Sequence, residues 1–70
     1  MKYREIAKKL RSLGCEEVPR QKPGSHRTWH NPQTDRMATL PEWGARDLKI
    51  GTLRAAIRQL GIDWQEFLNS

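Results

Sequence analysis

Seventy residues with thirteen Lys and Arg against eight Asp and Glu make one small domain of formal charge +5. The sequence pI near 10.0 points to polyanionic partners, nucleic acid first among them. A chain this short buries only about 60% of its unfolded surface and draws about 3–5 kcal/mol from its core, which excludes a deep cofactor cleft and confines chemistry to a surface or shallow groove.

The single cysteine, Cys15, excludes an intramolecular disulfide and a cysteine-based zinc site, and fits a reducing cytosol. The opening "MKYREIAKKL" reads as a charged helix rather than a signal peptide. No apolar run approaches the length of a membrane span, so a cytoplasmic protein without membrane contact is expected.

Along the chain, "YREIAKKLRSLG" sets Tyr3, Ile6, Leu10 and Leu13 on one stripe of a helix, with Glu5 and Lys9 as an outer i,i+4 pair and Gly14 as the stop. "CEEVPRQ" (15–21) is a weak first strand that Pro19 demotes to an edge. "SHRTWH" (25–30) is a clearer second strand between Pro23-Gly24 and Asn31-Pro32, and "RMATLPE" (36–42) is a third, reached through "NPQTD". A second amphipathic helix carries Ile50, Leu53, Ile57 and Leu60, closed by Gly61. Asp63 as N-cap with Glu66 three residues on opens a short last helix anchored by Trp64, Phe67 and Leu68. The expected architecture is α+β, in the order α-β-β-β-α plus a short C-terminal helix. A three-stranded antiparallel sheet is covered by helices on one face and open on the other.

Charge is segregated along this pattern. Val18 to Thr34 contains no acid but holds Arg20, Lys22, Arg27, His26 and His30; Leu48 to Ile62 contains none but holds Lys49, Arg54 and Arg58. Arg54 and Arg58 share a helical face beside the apolar stripe. Gly51 and Thr52 fall in the first turn of the second long helix, where unpaired N–H groups and the positive dipole end suit an anion. These are the residues of a phosphate-backbone footprint, or else of a solvated basic face without a partner.

Taken together, Gly24-Ser25-His26 before the second strand, "RMATLP" ending the third, and Lys49-x-Gly51-Thr52-Leu53-Arg54 within "LKIGTLRAAIRQLGI" give the chain a resemblance to HicA-type toxins of prokaryotic HicA/HicB toxin–antitoxin systems. The likeness runs over almost the full length. It implies a double-stranded-RNA-binding-domain-like fold, a ribosome-independent mRNA-cleaving toxin and a cognate HicB-type antitoxin that masks the active surface. It also implies that His26 is catalytic. Where the family often has Pro-x-His after the third strand, this chain has Pro41-Glu42-Trp43, so any role of that second histidine is absent or replaced.

RNA brings its own nucleophile, the 2′-hydroxyl, so cleavage needs a base for its proton and cations or amide donors for the phosphate oxygens. His26 suits the first task, and no metal or cofactor is required. His26 and His30 in a strand lie about 13 Å apart on one side, too far to share a metal ion, which leaves His30 as an RNA contact. Lys22, Arg27, Lys49, Arg54 and Arg58 are the candidate phosphate contacts, with Gly24, Ser25, Gly51 and Thr52 supplying backbone or hydroxyl groups. The residues alone leave several roles open. His26 is either catalytic or shapes the strand start, Ser25 is a phosphate contact or a turn hydroxyl, and Trp43 stacks on a base or fills the core edge. The rival to an RNA-cleaving enzyme is a non-catalytic RNA-binding module of the same fold; a domain docking an acidic protein is the third.

Overall fold

The computed structural model describes residues 1–19 and 26–70. The elements are α1 (Tyr3–Ser12), β1 (Glu16–Glu17), β2 (His26–Asn31), β3 (Arg36–Pro41), α2 (Ile50–Gln59) and α3 (Trp64–Leu68). Both strand pairs are antiparallel, in the order β1-β2-β3. The α-β-β-β-α layout with a short closing helix is therefore the one expected. No helix among the described residues is long and apolar enough to cross a membrane.

Both long helices end alike. Gly14 (φ 89°) and Gly61 (φ 74°) adopt the left-handed conformation that glycine enters without the Cβ penalty. Each then closes a Schellman motif. Cys15 N donates to Leu10 O and Gly14 N to Arg11 O; Ile62 N donates to Ile57 O and Gly61 N to Arg58 O. At α3, Asp63 accepts from the backbone of Gln65 and Glu66, the expected N-cap.

β1 is shorter than expected, with only Glu16 and Glu17 in the ladder. Val18 N still donates to Thr28 O at 2.8 Å, while Pro19 has no N–H to add; residues 20–21 of that expected strand lie outside the described residues. In α1, Lys9 does not pair with Glu5. Its ammonium donates to the carbonyls of Leu68 (3.0 Å) and Ser70 (2.9 Å), tying α1 to the end of α3.

The core lies between the helices and one sheet face. Ile6, Leu10, Trp29, Leu40, Leu53, Ile57, Leu60 and Phe67 are fully buried, each worth about 1.5–3 kcal/mol of transfer free energy. Trp29 is in the core as expected, and its Nε1 donates to Tyr3 Oη at 3.1 Å. One stripe residue departs. Ile50, the first residue of α2, is 62% exposed, and Ala56 completes the buried stripe with Leu53, Ile57 and Leu60.

The β2–β3 turn is more than a connection. Asn31 is buried, its Nδ2 donating to Leu60 O at 2.8 Å, while Thr34 Oγ1 donates to the same carbonyl at 2.8 Å. The carbonyl at the end of α2, unsatisfied within its helix, thus finds both donors in the turn.

Candidate functional site

Antiparallel register sorts the strand side chains onto two faces. His26, Thr28 and His30 pair with Pro41, Thr39 and Met37, and this set belongs to the face the helices leave open. His26 and Met37 are exposed there, and the hydroxyls of Thr28 and Thr39 meet at 3.2 Å. Arg27, Trp29 and Asn31 belong to the covered face.

His26 stands at the mouth of β2, directly opposite the last residue of β3. From Pro41 the chain runs through residues 42–48 into α2, so the start of β2 and the first turn of α2 come toward one end of the molecule. The start of α1 joins them: Leu48 N donates to Met1 O at 3.0 Å, and Lys2 bridges Asp47. Lys49 is the N-cap of α2 with extended backbone and no side-chain capping bond, and no acid lies in the first turn. The first in-helix bond runs from Leu53 N to Lys49 O, which leaves the N–H groups of Ile50, Gly51 and Thr52 directed away from the helix, toward solvent or an anion.

The remaining candidates separate. Arg54 and Arg58 lie farther along α2, both exposed, and the Arg54 guanidinium sits over the Trp64 ring at 5.1 Å from its centroid. His30 is at the far end of β2 from His26. Its Nε2 lies 2.9 Å from Asp35 Oδ1, a partner supplied by the turn and not foreseen from the sequence. Among the described residues no three His, Cys, Asp or Glu side chains gather as a metal site. Lys22, Gly24 and Ser25 lie outside the described residues.

Arg27, expected among the phosphate contacts, shares the covered face with Trp29 and is held between Glu17 (2.7 Å) and Glu42 (3.0 Å). Those hydrogen bonds, to Glu17 first, raise its pKa further above the ordinary guanidinium value. A cation already neutralised by two carboxylates has little left for a phosphate. The signal was present in the sequence, since residues 27 and 29 have the same strand parity, and burying one turns the other inward. Cys15 offers no nucleophile either, because burial raises its thiol pKa and withholds the thiolate.

No curated protein matches the chain. The model of the family described as HicA toxin of bacterial toxin-antitoxin matches residues 3–62, from the first residue of α1 through the sheet and α2 to the Schellman motif that closes it. On that match the chain belongs to the HicA toxin family of bacterial toxin–antitoxin systems.

Proposed function

We propose that this toxin is a metal-independent endoribonuclease that cleaves mRNA in the cytoplasm, with His26 as general base and a HicB-type antitoxin as its inhibitor. The supporting observation is that His26 is exposed on the open sheet face, at the end of the molecule where α2 presents its uncapped, acid-free first turn.

In this mechanism His26 takes the proton of a ribose 2′-hydroxyl. The 2′-oxygen attacks the adjacent phosphorus, the 5′-oxygen leaves and takes up a proton, and the products carry a 2′,3′-cyclic phosphate and a 5′-hydroxyl. Lys49 and the amides of Gly51 and Thr52 hold the phosphate, whose added negative charge they stabilise more strongly in the transition state than in the ground state. Arg54 and Arg58 engage flanking phosphates. Lys22, Gly24 and Ser25 belong to the same phosphate-binding set, and His30 contacts RNA farther along the open face.

The test is cleavage of RNA by the purified protein in EDTA, beside a folded His26→Ala variant, with the product ends identified. Cleavage should persist in EDTA, leave 5′-hydroxyl ends, and fall about 10²–10⁴-fold in the variant. Undiminished cleavage by His26→Ala would overturn the assignment. RNA binding without cleavage by either protein would instead identify a binding module in which His26 shapes the strand start.

A further inference from the structure

We propose that the turn Trp43–Arg46 is a nucleobase-binding site, stacking the base next to the phosphate held at His26. The proposal rests on the RNA-cleaving role given above and adds to it the residues that grip a base.

Trp43 lies two residues beyond Pro41, the cross-strand partner of His26. It is half-buried, yet among the described residues it belongs neither to the buried core nor to the partly buried side chains packed on it, which are Met1, Leu13, Ile62 and Trp64. The other two tryptophans are both accounted for by packing. Trp29 is fully buried, and Trp64 stacks on Phe67 with ring centroids 5.5 Å apart. Trp43 carries the Arg46 guanidinium over its ring, 5.3 Å from the centroid, as Trp29 and Trp64 carry Arg11 and Arg54, but among the described residues it has no comparable core packing.

The turn that presents this pair is held at both ends. Arg46 N donates to Trp43 O at 3.2 Å, with Gly44 supplying a positive φ of 62° between them. On one side Glu42 is bound by Arg27; on the other Asp47 and Leu48 are bridged to Lys2 and Met1. A large aromatic side chain is therefore presented by a held turn, two residues along the chain from the cross-strand partner of the proposed catalytic histidine. Single-stranded RNA is gripped by stacking bases on aromatic rings and guanidinium planes, with cations along the backbone. Lys2 and Arg4 supply such cations, lining a groove with Glu42, Gly44 and Ala45 between the start of α1 and this turn.

Binding is measured by fluorescence anisotropy at fixed salt, with labelled single-stranded RNA oligonucleotides and His26→Ala as the parent, so that the RNA stays intact. Adding Trp43→Ala should weaken binding about tenfold at an unchanged melting temperature, in line with the loss of one stacked base. Trp43→Phe should restore most of it. A set of oligonucleotides each lacking one base should include one that binds the parent as weakly as intact RNA binds the Trp43→Ala variant, and to which Trp43→Ala adds no further loss. Unchanged binding by Trp43→Ala, or an equal loss against every oligonucleotide, would overturn the base site and leave the nuclease standing. A parent that binds no RNA would remove both. RNA binding with the full base dependence, in a protein whose cleavage does not need His26, would keep the base site and remove only the catalytic assignment.

Discussion

At the scale of single residues, two hydrogen bonds, one buried and one partly so, tie the β2–β3 turn to the end of α2. Asn31 Nδ2 and Thr34 Oγ1 share the carbonyl of Leu60, and Asn31 Oδ1 accepts from Gln33 N at 3.1 Å. Asn31→Ala removes one of the two donors and leaves a buried void, so it should cost about 1–3 kcal/mol. In a domain of this size that lowers the melting temperature by roughly 4–8 °C per kcal/mol; an unshifted melt would show that Thr34 alone satisfies the carbonyl. Tyr3 works through pH. Burial, its largest cause, raises the phenol above the ordinary 10.0. The unfolded chain therefore ionises first, and the stability contributed by the neutral phenol is complete below pH 10 and lost as pH rises from there through the folded-state value. Tyr3→Phe forfeits the bond from Trp29 and should be about 1 kcal/mol less stable at neutral pH. Above pH 10 the gap from the parent should narrow, as urea titrations across that range would show.

At the scale of elements, two glycines in α2 and its cap separate folding from function. A Cβ on Gly61 would stand 2.8 Å from Thr34 Cγ2, and the residue holds φ 74°. Gly61→Ala therefore strains both the backbone and the turn that caps the helix, and should destabilise by more than about 1 kcal/mol. Gly51 has open space around its Cα and no positive φ. There Ala is the better helix former by about 0.5–1 kcal/mol, so Gly51→Ala should melt at or above the parent temperature. If a phosphate approaches that backbone, the same change lowers cleavage; retained cleavage would release Gly51 from the phosphate site. The helices were legible because their apolar periodicity and closing glycines are local signals, and both Gly14 and Gly61 occupy the stop they suggest. β2 and β3 were legible from their bounding turns, and Trp29 from its parity. The partners of Arg27 were not, because Glu17 and Glu42 come from different elements and meet only when the sheet closes. The use of Asn31 as a cap was hidden too, since "NPQTD" has the composition of any turn and Leu60 is twenty-nine residues away. Ile50 kept the helical period but, as the first residue of α2, is exposed rather than buried.

At the scale of the whole molecule, charge and architecture divide the work. The net +5 gives a long-range attraction to any polyanion, but only cations without carboxylate partners can release counterions from RNA on contact. The fold draws that line between residues the sequence groups together. Lys49 is an exposed cap with no acid in the turn it opens, whereas Arg27 joins β1, β2 and the segment after β3 through Glu17 and Glu42. For single-stranded RNA the logarithm of the binding constant falls with the logarithm of salt concentration by about 0.7 for each neutralised phosphate. Lys49→Gln should therefore make the slope shallower by about 0.7, with little change in stability, because the side chain is exposed and makes no hydrogen bond or ion pair among the described residues. Arg27→Gln should do the opposite, lowering the melting temperature while leaving the slope as it was. Binding isotherms from low to physiological salt, with melts of both variants, measure the two effects separately. A slope lost with Arg27 and kept without Lys49 would mean that RNA breaks the carboxylate clasp on binding, and that the covered edge of the sheet rather than the first turn of α2 meets the phosphate.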